Sequence, residues 1–386
     1  MNVNDIMICI LRAQICNQEI DRKVLELIDA NMLKSLFVTA KKYDVVHIIA
    51  LWLEQYKVQM SENVTEHFRK SLALAVYRYE HMNYDYERIC KTFEEEKIPY
   101  IPLKGLVIRD FYPEPWMRTS CDIDILVKEE DLKRAMTALE EKLSFKSDEK
   151  RNYHDVSMYS KNNTHLELHF NIKENMNYID GVLSDVWKYA VIDEGSKYKY
   201  KLKSEFLLFQ IISHIVYHIK CGGSGIRAFI DLYLLEKNIS YDEAELSRLC
   251  GQCSIEIFRK TVEKLCAVWM QNEEHNTVTK QLQNFIFDGG LYGSIENVVA
   301  IRQSKAGGKT KYVFTLIFQP YEIMKEKYPV LKKYKWLIPF YHIKRWCNLA
   351  LSGRGKKVVC YLKSDKGFAE DENDKKIQLF KNLGIY

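Results

Sequence analysis

Between Ser120 and Val127 the chain reads Ser-Cys-Asp-Ile-Asp-Ile-Leu-Val, an alternation that leaves few ways to fold it. Successive side chains of a strand face opposite sides, so Asp122 and Asp124 project together while Ile123 and Ile125 turn into a core. Two neighbouring carboxylates repel each other, and burying them without a cation is costly. The segment therefore calls for a sheet that is apolar on one face and able to hold a cation on the other. Hard oxygen ligands suit magnesium or manganese. A bare Asp-x-Asp pair more often caps a strand at a solvated end, so the surrounding residues must carry the argument.

Upstream, the apolar run Tyr100–Leu103 meets Lys104-Gly105 and then a short helical run, Leu106 to Phe111, stopped by Pro113. Strand, glycine, helix is an arrangement that presents backbone N–H groups to phosphate. Arg118, Thr119 and Ser120 add a guanidinium and hydroxyls suited to phosphate oxygens. Lys104 is a second candidate for neutralising phosphate charge, against the alternative of a snorkelling surface lysine. Downstream, His165-Leu-Glu-Leu-His169 alternates again and places Glu167 and His169 on one face. Glu167 on a neighbouring strand would make a trio with Asp122 and Asp124. His169 either orients Glu167 or a ligand, or is a satisfied, half-buried histidine. The loop Gly222–Arg227 either reaches an acceptor substrate or is a helix–helix turn in which Arg227 pairs with Asp231.

A chain of 386 residues exceeds one ordinary core, so two or three lobes are expected. Helical periodicity covers Ile6 to about Lys97, with apolar stripes at Val24, Leu25, Leu27 and Ile28 and at Leu72, Ala75, Val76 and Tyr79. Strand-like runs occur at Tyr100–Leu103, Ile123–Val127, Val156–Tyr159 and Leu166–Ile172, with a helix at Asp131–Leu143. The helical period returns from Ser204. The expected organisation is a helical region over 1–97, an α/β lobe over 98–200 and a helical domain over 201–386. Loops are expected at Gly222–Gly225, Gly289–Gly293, Ala306–Gly308 and Gly353–Gly355, and a charged surface loop at Lys363–Lys376.

The net charge of +5, from 57 basic and 52 acidic residues, is too mild for a dedicated nucleic-acid binder. No secretory signal opens the sequence, and Phe206–Ile219 is too short to span a bilayer. Ten scattered cysteines suit free thiols in a reducing cytoplasm. Gly308-Lys309-Thr310 lacks the first glycine of a phosphate loop. Cys250-Gly-Gln-Cys253 lacks the setting of a redox motif. Trp336–Trp346 is expected to be a helix packing its aromatic face inward rather than one touching a membrane surface.

The run Leu-Lys-Gly, then Tyr112-Pro113, Arg118 and Ser-Cys-Asp-Ile-Asp-Ile-Leu-Val, resembles the bacterial uncharacterised nucleotidyltransferase family of the polymerase-β-like superfamily. So do Glu167-Leu-His169-Phe, and His214, His218 and Gly222-Gly-Ser-Gly-Ile-Arg227 followed by Asp231. The likeness runs from about Leu103 to Leu235, with a weaker echo in Tyr328–Arg345 and none in the first ninety residues. The resemblance implies a predominantly helical α+β chain, with a small polymerase-β-like α/β lobe flanked by helical regions. It further implies two-metal transfer of a nucleoside monophosphate from an NTP, ATP being favoured, to an unidentified small-molecule, sugar or protein hydroxyl. Metal binding then falls on Asp122, Asp124 and Glu167. Nucleotide contacts fall on Lys104, Gly105, Arg118 and Ser120, and acceptor-side contacts on His169, Arg227 and Asp231. The superfamily usually carries Gly-Gly or Gly-Ser where this chain has Lys104-Gly105. A non-catalytic nucleotide-binding or antitoxin-like module is the competing reading; three retained acids argue against it.

Overall fold

Apolar-periodic segments toward both ends of the chain fold as helices, and the short alternating runs between them build one sheet. The computed structural model describes residues 1–385 except 21, 290–292, 294, 307–308 and 352–369. Five helices come first: α1 (Val3–Cys16), α2 (Arg22–Glu26), α3 (Ala30–Lys42), α4 (Val46–Gln55) and α5 (Glu62–Glu95). Asn2 and Asp5 cap α1 reciprocally, each side chain accepting from the other's backbone N–H at 3.0 and 3.2 Å. The stripe at Val24–Ile28 forms only the short α2, with Val24 buried and Leu27 exposed beyond its end.

β1 (Tyr100–Pro102), α6 (Gly105–Ile108), β2 (Ile123–Val127), α7 (Leu132–Leu143), β3 (Lys146–Arg151), β4 (Asp155–Tyr159) and β5 (His165–His169) follow. The strands lie in the order β1-β2-β5-β4-β3, with β2 and β5 parallel and the other neighbours antiparallel. Ile123, Ile125, Val127, Val156, Met158, Leu166 and Leu168 share one face. Ile89 and Phe93 of α5 and Leu132, Ala135 and Leu139 of α7 pack on it. The alternate residues of β2 and β5 are thereby turned to the other face. The four strand runs legible in the sequence all appear. β3 has no alternating apolar signal to read, because Lys-Ser-Asp-Glu-Lys-Arg forms a polar edge strand.

After α8 (Asn177–Leu183), β6 (Ala190–Ile192) and β7 (Tyr200–Leu202) make a separate hairpin. It is fastened beside β1: Glu94 accepts from the N–H groups of Lys197, Tyr198 and Lys199, and the Tyr100 N–H donates to the Tyr198 carbonyl. The remaining helices are α9 (Ser204–Lys220), α10 (Ile226–Asn238), α11 (Glu243–Gln252), α12 (Glu256–Gln271), α13 (Thr277–Gly289), α14 (Ile295–Ala306), α15 (Lys309–Ile317), α16 (Tyr321–Lys327), α17 (Val330–Lys333), α18 (Ile338–Leu351) and α19 (Glu370–Asn382). α9 starts at the expected Ser204, and the architecture is predominantly helical α+β.

Two compact units emerge, Met1–Tyr217 with Gly225–Lys280, and His218–Ser224 with Gln281–Tyr386. In the second, Gly222 turns the chain at φ +112° and its carbonyl accepts from Asn297 Nδ2 at 2.9 Å. Of the other expected loops, residues 290–292, 307–308, 353–355 and 363–369 lie outside the described residues. Residues 370–376 are not the expected loop but the first turns of α19. The expectation for Trp336–Trp346 is also overturned. Arg345 donates to the carbonyls of Leu316 (2.7 Å) and Ile317 (3.0 Å), and Trp346 Nε1 donates to that of Ile317 (2.9 Å). Those bonds draw His342 and Arg345 inward and leave Trp336, Phe340 and Ile343 exposed.

Candidate active site

Register brings the acids together. Asp124 of β2 lies opposite Glu167 of the parallel β5, so the two side chains share the face turned away from the core. Asp122 enters from the residue just before β2, its Oδ1 accepting from the Ser120 hydroxyl at 2.8 Å. Asp124 is buried, and its Oδ1 lies 3.0 Å from Lys104 Nζ and 2.8 Å from His169 Nε2. His169 Nε2 is also 3.5 Å from Glu167 Oε2, and its ring stacks on His154 with centroids 5.4 Å apart. Two sets, Asp122/His165/Glu167 and Asp124/Glu167/His169, each hold their donor atoms within 4.8 Å of one another and share Glu167.

The charges divide the acids. Burial and the neighbouring Asp124 carboxylate raise the pKa of Asp122 above its ordinary value, against the Ser120 hydrogen bond. Burial also pushes Asp124 upward, but the Lys104 ammonium and the His169 hydrogen bond outweigh it and hold the carboxyl well below the usual range. The His169 hydrogen bond keeps Glu167 low against burial. Burial favours neutral His169, yet its bonds to Asp124 and Glu167 raise its pKa. Lys104 likewise stays charged despite burial because Asp124 faces it.

This donor set fits a divalent cation. Three carboxylates converge beside His165 and His169, with Lys104 against Asp124, and the buried His165 Nε2 has no hydrogen-bond partner among the described residues. His165 shares parity with Glu167 and His169 on β5, so the alternation that reveals those two reveals it as well.

Arg118 and Arg227 are committed elsewhere. Arg118 Nε lies 2.8 and 2.9 Å from the carboxylate oxygens of the buried Asp231, which also accepts from Tyr112 Oη at 2.7 Å. Arg227 does not pair with Asp231 along α10; its Nη1 donates to Asp44 Oδ2 at 2.9 Å and to the Thr119 carbonyl at 2.8 Å. Thr119 Oγ1 bonds the same Asp44 carboxylate at 2.8 Å, and His47 Nε2 of α4 donates to the Met117 carbonyl at 2.8 Å. Residues 117–120, which lead into Asp122, are therefore held by α4 and the residues before it on one side and by α10 on the other. No local motif marks Asp44 or His47, because their role arises only from tertiary contact.

The turn after β1 runs through Leu103 and Lys104 into α6 at Gly105. The left-handed residue is Lys104, at φ +45° and ψ −119°, not Gly105. A side-chain carbon at Gly105 would meet Ser120 at 3.6 Å, an ordinary contact. Since α6 is a single turn, its dipole contributes little to anion binding. A cavity of about 660 Å³ bounded by Pro102, Leu106, Val107 and the β6–β7 hairpin contains none of the acids, so the donor cluster rather than the cavity marks the chemistry.

A family model described as uncharacterised nucleotidyltransferase matches residues 33–271. The match takes in α3 to α12, begins well before the likeness visible in the sequence, and includes Asp44 and His47, whose side chains hold the acid-bearing segment. No curated protein and no solved structure matches the chain. With more than half its length matched and the acids clustered on one sheet face, the chain belongs to the uncharacterised nucleotidyltransferase family.

Proposed function

We propose that this nucleotidyltransferase moves a nucleoside monophosphate from an NTP to a hydroxyl of a small molecule, sugar or protein side chain. The acceptor oxygen forms a bond to the α-phosphorus, the bond from that phosphorus to the bridging oxygen breaks, and pyrophosphate leaves. The convergence of Asp122, Asp124 and Glu167 on one face is the observation that carries the reading. Those three residues would hold Mg²⁺ or Mn²⁺, which when bound supplies positive charge for the phosphates and acidifies the acceptor hydroxyl.

The remaining roles follow from the protein's own groups. Asp122, aimed by the Ser120 hydroxyl, serves as a ligand of the cation, and the acceptor's proton passes to solvent as its oxygen bonds phosphorus. Glu167 and Asp124 stay ionised under His169 and Lys104. Lys104 offsets charge on the phosphates from its position beside Asp124. Ser120 orients Asp122, and Arg118, through Asp231, fixes the segment that carries them. Arg227 reaches the same segment through Thr119.

The test supplies NTP labelled at either the α- or the γ-phosphate, with Mg²⁺ and a panel of sugar, polyol and hydroxyl-bearing peptide acceptors. Label at the α-phosphate should appear on an acceptor while γ-label leaves in pyrophosphate. Transfer of the γ-label would make the chain a kinase and overturn the reading.

A further inference from the structure

The second unit carries an apolar, basic surface unrelated to the acid cluster. Trp336 is 70% exposed, Phe340 61% and Ile343 54%, spaced four and three residues apart. The Trp336 and Phe340 rings lie edge to face at 6.4 Å, so they form one patch. It cannot simply rotate inward, because Arg345 fixes the opposite side of α18 to the carbonyls of Leu316 and Ile317, and Trp346 on the flank bonds the Ile317 carbonyl. Around it, Tyr321–Trp346 contains seven basic and two acidic residues, a net +5 that equals the charge of the whole chain. Lys332, Lys333, Lys335 and Lys344 are exposed.

We propose that this face docks on an anionic lipid surface, with Trp336, Phe340 and Ile343 entering the headgroup boundary and the lysines meeting lipid phosphates. Two observations favour lipid over other occupants. A second copy would set the same cations against themselves. The exposed aliphatic Ile343 and Val330, beside Trp336 and Phe340, give the face the mixed branched-aliphatic and aromatic character that suits acyl chains. Among the described residues, no helix is long and apolar enough to cross a membrane, so the face would lie on the surface.

The full chain is mixed with vesicles of phosphatidylcholine alone, or of phosphatidylcholine with phosphatidylglycerol, and sedimented. Binding is expected only to the anionic vesicles, weakening with salt and falling about tenfold or more in Trp336→Ser/Phe340→Ser. Lys332→Glu/Lys333→Glu, which keeps the apolar patch, should weaken binding to a similar degree. Both variants should retain the binding of Mg²⁺·NTP shown by the intact chain, which separates this inference from the catalytic reading and shows that they fold. Equal binding to neutral vesicles, no vesicle binding, unaffected variants, a dimer that shields Trp336 in solution, or displacement of the vesicles by RNA would each overturn it.

Discussion

Asp122, Asp124 and Glu167 were legible because strand alternation is a two-residue period, and a carboxylate on the wrong face would sit in the Ile123/Ile125 core. Lys104, His169 and Ser120 were legible as candidates beside them, but the bonds of Lys104 and His169 to Asp124 were not, because those arise through tertiary geometry. Replacing Asp122 or Asp124 with Asn should lower turnover about a thousandfold with little change in fold, measured as kcat beside thermal unfolding. Lys104 occupies backbone space that suits glycine, at a cost of about 1–2 kcal/mol. Lys104→Gly and Lys104→Ala both lose the ion pair to Asp124, but only glycine relieves the strain. Lys104→Gly should therefore be about 1 kcal/mol more stable than Lys104→Ala by denaturant unfolding; equal stabilities would refute the strain argument.

Elements with strong periodicity were read well from sequence, and those defined by partners were not. β2 and β5 announce themselves through alternating Ile and Leu, whereas β3 has no apolar residue and exists as an edge to β4. Arg227 and Asp231, four apart on α10, invite a pairing along the helix. They are instead drawn apart, Arg227 to Asp44 before α4 and Asp231 to Arg118 in the segment before β2. Asp231→Ala should leave the Arg118 guanidinium buried without its carboxylate, costing about 3–5 kcal/mol of stability. Activity should fall about 10–100-fold as the segment bearing Ser120 and Asp122 loosens. Leu168→Ala, which empties a site between β5 and the covering helices, should cost about 2–5 kcal/mol without altering the acids directly. A Leu168→Ala loss as small as that of an exposed substitution would contradict the placement of the core.

At the scale of the whole molecule, the helical content and the central α/β lobe were evident from hydrophobic periodicity. The participation of residues near 33–97 in the matched region was not, since they contribute through isolated side chains such as Asp44 and His47. Stability should carry a distinctive pH dependence from Glu236 of α10. Burial and the Glu263 carboxylate raise its pKa to about 8 from 4.5. Between those values the folded chain holds a proton that the unfolded chain has lost, so stability falls as pH rises through that window and levels off above it. Glu236→Gln should remove the slope and raise the melting temperature more at pH 8 than at pH 5; an unchanged profile would show that Glu236 is ionised in the fold. The central claim concerns the acids, and calorimetric titration of each NTP with Mg²⁺ into the intact chain and into Asp122→Asn/Asp124→Asn tests it most directly. Metal-dependent binding by the intact chain that the double variant loses is the predicted result. Binding that survives in the variant, or no binding of any NTP to the folded intact chain, would contradict the assignment.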